Sequence, residues 1–293
     1  MFDIVLCFPV QISPYRGKEA LYDHAIRQFS YFFYPIVIML ITAALYLFLR
    51  NRTQETKKYA VLALMLINIA QHVLKRFLYP AYRGAEFDLR LSTAYNLCAL
   101  LILTAPVILL GNSAVGKDFF VLFGVNAGVV SMAFPYWYIG QPLWQWEVFR
   151  FYVCHGLLFA SALLIPLLGL HRPARKNFWK LPFLFFFALI LVTFNDIVVW
   201  VIQGARGDLW QMLSACNPCW LFHPDEHFSR LLPLIALFSP DRFLGNAATG
   251  QPFTPLLWYF VTMYLLIARL AFLICSLIPR RHSRPARLQR PHG

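Results

Sequence analysis

The sequence predicts an all-α integral membrane protein: a seven-helix transmembrane bundle with one long outer loop between helices six and seven. Three observations lead there. The chain is 59% hydrophobic and only 13% charged, with a mean hydropathy of +0.58, which leaves too little polar surface for a water-soluble domain. Seven apolar stretches have the roughly 20-residue length that a helix needs to cross a hydrocarbon core, where no water satisfies open backbone groups. The formal charge of +13 sits mainly in short basic clusters between those stretches and in the C-terminal tail. Cytoplasmic loops read this way, and no basic domain is present to bind nucleic acid.

The spans are expected at about 31–49, 59–79, 91–111, 119–139, 149–170, 181–202 and 255–278, all within one polytopic membrane domain covering 1–293. Residues 1–10 are too short and too lightly flanked to read as a cleaved signal peptide, so the N-terminus is expected to be retained. The second stretch is the least clean, because it carries Asn68, Gln71, His72, Lys75 and Arg76. Asn68, His72 and Arg76 recur at i, i+4 and i+8, which places them in one stripe facing the bundle interior, since polar side chains facing lipid are costly. Between the sixth and seventh stretches lies the only long connection, 203–254, rich in Pro, Gly and charge. Loops of that length are usually functional or covering structures.

Lysine and arginine in the short loops set the orientation. Arg50, Arg52, Lys57, Lys58, Lys117, Arg172, Arg175, Lys176 and Lys180 fall on one side, with Arg280, Arg281, Arg284, Arg287 and Arg290 of the tail. That side reads as cytoplasmic, which puts the N-terminus outside and the C-terminus inside a cell membrane, in all expectation a bacterial inner membrane.

This topology predicts a shared polar layer. The third and fifth stretches run in the same direction, and Cys98 and His155 each lie six or seven positions past the outer end, about 10 Å deep at 1.5 Å per residue. The second and sixth run the other way and bring Gln71, His72, Asn195 and Asp196 to a similar level. Taken singly, Cys98 is more economically core filler and His155 a satisfied interior histidine. A layer contributed by four helices favours function. A buried thiol needs a neighbouring histidine or positive charge to become a nucleophile, and Cys98 with His155 supplies the pair. Asp196, Asn195 or His72 would orient the imidazole or donate to a developing oxyanion. Asn96 is two residues from Cys98, about 200° around a helix, so the two cannot face one cavity point.

Around these residues the order Asn96-Leu97-Cys98, Pro106, Leu109-Leu110, Phe119-Phe120, Gly124, Gly128, Pro135, Phe149 to Phe151, His155-Gly156 and Arg172-Pro173 resembles the YwaF family. These are bacterial integral membrane proteins related to eukaryotic transmembrane protein 164. The resemblance is clearest over the third to fifth stretches. It implies an acyltransferase that moves a fatty acyl chain between membrane phospholipids through a cysteine and a histidine, which fall here at Cys98 and His155. The chain departs from the family's Leu-Pro-Leu-His-Leu-Cys pattern, since Thr93-Ala94-Tyr95-Asn96-Leu97 precede Cys98 and the proline and histidine are absent.

The leading function is therefore a membrane-embedded lipid acyltransferase or thioester-forming acyl hydrolase. A non-catalytic transporter or lipid-binding membrane protein is the alternative. A third reading is a thiol oxidoreductase using Cys216 and Cys219 in the long loop. With His223 and His227, those cysteines also offer four zinc ligands, although a disulfide or free thiols are preferred, and no cofactor is predicted. Arg269 in the seventh stretch is expected to pair with Asp196 or to meet a lipid phosphate. No nucleotide-binding loop, HExxH or lipobox is present, and no feature of the sequence specifies an oligomeric state.

Overall fold

The computed structural model describes residues 29–83, 89–133, 135, 142–205 and 207–216. Within them the chain forms seven α-helices: α1 (Phe29–Leu49), α2 (Gln54–Arg83), α3 (Leu97–Leu110), α4 (Ala114–Ala133), α5 (Trp146–Leu167), α6 (Leu181–Ile202) and the short α7 (Leu209–Cys216). Single 3-10 segments, Leu89–Ser92 and Arg175–Lys180, precede α3 and α6. A helix occurs at each of the first six apolar stretches. The seventh stretch and most of the long loop lie outside the described residues.

Among the described residues four segments are long and apolar enough to cross a membrane: Phe32–Leu49, Ala114–Ala133, Trp146–Leu167 and Arg175–Ile202. Their outer faces carry Ile36, Met39, Leu40, Leu47, Phe183, Phe187, Phe194 and Ile202 exposed, a surface that water would not tolerate and acyl chains would. α2 falls outside that set because of its polar stripe, although its 30 residues give it ~45 Å of length. α3 has only 14 residues, ~21 Å. At the third stretch the α-helix starts only at Leu97, where Asn96 caps it, because Thr93 just before is tied to His72 and Asn195. The fourth helix conversely begins before 119, because the Ser113 hydroxyl accepts from Gly116 N at 3.0 Å and nucleates the turn.

α5 is the hub, packed against α1, α2, α3 and above all α4. Close approach of α4 depends on Gly124 and Gly128, four residues apart and therefore on one face. A Cβ on Gly124 would stand 2.8 Å from the Ala162 Cβ, and one on Gly128 would stand 2.6 Å from the Phe159 Cβ and 3.0 Å from the His155 carbonyl oxygen. Where lipid supplies no hydrophobic drive between helices, such small-residue contacts let backbones gain dispersion. Gly156 plays the same part toward α1, where Ile38 covers it. Above that contact the Tyr34 hydroxyl donates to Leu143 O at 2.7 Å, and its ring stacks on Tyr152 at 4.8 Å. α1 is thereby pinned to α5 although most of it faces outward.

Candidate functional site

One end of the bundle gathers polar side chains from α2, α3, α4, α5 and α6 and from the 93–96 segment. Two members of the α2 stripe, Asn68 and His72, point inward as the spacing requires, each 2% exposed, and Lys75 beside them is 4% exposed; the side chain of Arg76, the third member, lies outside what the structure describes. Asn68 Nδ2 donates to Cys154 O at 3.0 Å, and Gln71 Nε2 donates to Asn68 Oδ1 at 2.6 Å. This joins α2 to α5 at the residue before His155. His72 Nε2 meets Thr93 O at 3.1 Å. A carbonyl oxygen only accepts, so this nitrogen carries the proton. The Thr93 hydroxyl in turn accepts from Asn195 Nδ2 at 3.1 Å, so one residue ties α2 and α6 together. Asp196, on the next position of α6, is buried.

Asn96 is the N-cap of α3, and its side chain accepts from Ala99 N at 2.8 Å. Cys98 consequently sits in the first turn of α3 rather than about two turns down a longer helix. There the helix dipole favours an anion. The Ser131 hydroxyl of α4, Cys154 and Lys75 lie within electrostatic reach of the sulfur. His155, further along α5, donates from Nδ1 to Phe151 O at 2.9 Å, and its ring lies 4.4 Å from that of Phe151. In the neutral ring this leaves Nε2 as the acceptor, the form a general base requires. Lys75 and Arg150 act electrostatically on His155. Lys75 acts electrostatically on both Cys98 and His155, and no hydrogen bond joins those two residues to each other among the described residues.

The arrangement bears on relatives. A model of the TMEM164 family matches residues 24–278, most of the chain. The chain belongs to the TMEM164 family. No curated protein and no solved structure matches it. The TMEM164 match covers all six longer helices and extends through the seventh apolar stretch.

Several members of the layer were not foreseen as such in the sequence. Tyr95 underlies it: Lys75 Nζ donates to the Tyr95 hydroxyl at 3.2 Å and lies 4.5 Å from its ring centroid, while His72 stacks parallel to the same ring at 6.2 Å. Cys154 is a second thiol, buried where Cys98 is half-buried, and both are free. Arg150 reaches toward His72, Tyr95, Cys154 and His155. Helical spacing could have found it, since Arg150 precedes Cys154 by four residues.

A second polar cluster closes the opposite end. Asp118 on α4 is fully buried, and its carboxylate accepts from His171 Nε2 at 2.5 Å, Asn177 Nδ2 at 2.7 Å and Ala174 N at 3.3 Å. Three donors on one connection clamp the 168–180 segment onto α4. Of the remaining expected residues, Cys216 ends α7, and Cys219, His223, His227 and Arg269 lie outside the described residues. Among the described residues no group of three His, Cys, Asp or Glu could hold a metal ion.

Proposed function

We propose that this TMEM164-family membrane protein is a lipid acyltransferase that uses Cys98 as nucleophile and His155 as proton carrier. What supports the reading is the position of Cys98: a thiol in the first turn of α3, with Lys75, which also acts on His155, within electrostatic reach inside an apolar bundle. His155 Nε2 removes the thiol proton, and the sulfur attacks an ester carbonyl of a phospholipid. The C–O bond breaks, the proton passes to the departing lyso-lipid oxygen, and the acyl chain remains as a thioester on Cys98. A second lyso-lipid hydroxyl attacks the thioester, gives its proton to His155, and the thiol is restored. Water in place of that hydroxyl gives hydrolysis. A thiol–imidazole bond absent from an unliganded site is compatible with this sequence, because catalytic hydrogen bonds often tighten only around substrate.

The reading includes seven spans, with the stretch 255–278 as the last, and an outside N-terminus. Support for the orientation comes from the fold: the base-rich segments 50–58 and 172–180 fall at the Asp118 end, and Arg50, Arg52, Arg172, Arg175 and Lys176 are exposed there. The Cys98 layer then faces the outer leaflet.

The test is acyl transfer from a chain-labelled phospholipid to a lyso-phospholipid by the full chain in lipid nanodiscs. Wild type and Cys154→Ala transfer the label, and Cys98→Ala and His155→Gln do not. Full transfer by Cys98→Ala sinks the proposal.

A further inference from the structure

The exposed apolar faces of α1 and α6 terminate, at the Asp118 end of the bundle, in two matching pairs of an aromatic ring and a cation. On α1, Leu47 and Phe48 are exposed, and the Arg52 guanidinium carbon lies 5.0 Å from the centroid of the Phe48 ring. At the start of α6, Trp179 and Phe183 are exposed with their rings edge to face at 6.4 Å, and Lys180 Nζ lies 5.4 Å from the Trp179 ring centroid. Arg50 and Lys176 are exposed at the same end. Glu55 is the one exposed carboxylate there among the described residues, because Asp118 is buried beneath its three donors. Aromatic rings of this kind settle at the headgroup level of a bilayer, and bases at helix ends reach out to the interface.

We propose that this end of the protein is a binding surface for the headgroups of anionic phospholipids, carried by Arg50, Arg52, Lys176 and Lys180 beside the Phe48 and Trp179 rings. The apolar faces fix the depth of the lipid. Acyl chains cover the exposed Leu47, Phe48 and Phe183, so the phosphates of those same lipids come to rest where the chains end, at the four cations. A zwitterionic headgroup cancels its phosphate with its own amine, whereas an anionic one brings net charge to a surface whose exposed bases outnumber its carboxylate. Preorganisation lowers the cost of ordering such a surface, and both of its parts are tied down. Asp118 holds the connection that carries Lys176 through His171, Ala174 and the buried Asn177. The turn that carries Arg50 and Arg52 is closed by Arg52 N donating to Leu49 O at 2.9 Å, and the Thr53 hydroxyl accepts from Thr56 N at 3.2 Å at the start of α2. The inference stands on this surface and makes no use of the acyltransferase reading.

Two lipids titrated into the purified full chain in detergent, read by the shift of its thermal unfolding midpoint, test the surface: dioctanoyl phosphatidylglycerol, which is anionic, and dioctanoyl phosphatidylcholine, which is zwitterionic with the same chains. Phosphatidylglycerol raises the wild-type midpoint more than phosphatidylcholine does at equal concentration. Raising the salt from about 0.1 M to about 1 M, which shortens the screening length from ~10 Å to ~3 Å, removes that difference. A base near an anionic lipid surface is worth about a 5-fold change in affinity, so Lys176→Gln with Lys180→Gln weakens the phosphatidylglycerol Kd about 25-fold, and Arg50→Gln with Arg52→Gln does the same. Lys176→Arg with Lys180→Arg keeps the charge and binds as wild type does. All four side chains are exposed, and the unliganded midpoints of the variants show that they fold. Equal stabilisation of wild type by the two lipids overturns the proposal, and so does a phosphatidylglycerol Kd that is unchanged in both glutamine pairs.

Discussion

Replacing Gly128 by alanine tests whether the α4–α5 contact sets the geometry of the candidate site. The added Cβ would lie 2.6 Å from the Phe159 Cβ, 3.1 Å from its Cα and 3.0 Å from the His155 carbonyl oxygen. Ordinary carbon–carbon contacts are about 3.5–4.0 Å, so the helices must part by ~1 Å at this level. None of the three atoms can rotate away, because each belongs to the α5 backbone or to a Cβ fixed to it. Overpacking of this kind costs about 1–3 kcal/mol, a fall of several degrees in unfolding midpoint at ~2–4 °C per kcal/mol for a chain of this order. The same ~1 Å moves His155, on α5, away from Ser131, on α4 beside Cys98. Misplacement by that amount can reduce a reaction about 100-fold. Thermal unfolding in detergent and acyl transfer in nanodiscs measure the two effects, with Val129→Ala as a control on the exposed face of α4. A Gly128→Ala protein with wild-type midpoint and wild-type transfer would refute the claim that backbone contact here holds the layer together.

Two further outcomes follow from single hydrogen bonds. Asn96→Ala removes the cap of α3 and costs about 1 kcal/mol, and it frays the turn that carries Cys98. Alkylation of Cys98 by a membrane-permeant maleimide should therefore quicken in Asn96→Ala and stay at the wild-type rate in Asn96→Ser, which caps equally well; equal rates in all three would remove the cap from the account. Asp118→Asn keeps the shape but turns an amide toward the Asn177 Nδ2 donor and leaves one acceptor for three donors. A loss of about 1–3 kcal/mol is expected, with faster proteolysis within 168–180, and unchanged proteolysis there would show that the clamp does not hold the segment.

Much of this bundle was legible because membrane burial writes itself into composition and length. The stripe of Asn68 and His72 needed only helical spacing and the cost of polar groups in lipid, and both side chains are inward. The start of α3 was not legible. Leu91 to Leu97 reads as apolar continuation, yet the Thr93 carbonyl and hydroxyl bond to His72 and Asn195, and Asn96 bends its side chain onto Ala99 N. Those long-range partners outcompete helix for the segment, and no local propensity could announce them. Gly124 and Gly128 advertise a close approach by their spacing, but the identity of α5 as the partner is a property of the assembled bundle.

The charges carry the less obvious lesson. Lys75 reads in the sequence as an interruption of an apolar stretch, and Arg150, at the start of the fifth stretch, carries no reading of its own there. A count of bases treats each as a point on one side of a membrane, whereas the bundle places both on a single cleft beside Tyr95 and two thiols. Charge counting and charge placement thus give different meanings to one residue type: Arg172, Arg175 and Lys176 are exposed and fit orientation, while Lys75 is 4% exposed and packs against the Tyr95 ring. A cation whose solvation has been removed must be stabilised by something of opposite charge or by acceptors. In this layer Tyr95 contributes a hydroxyl and a ring face to Lys75.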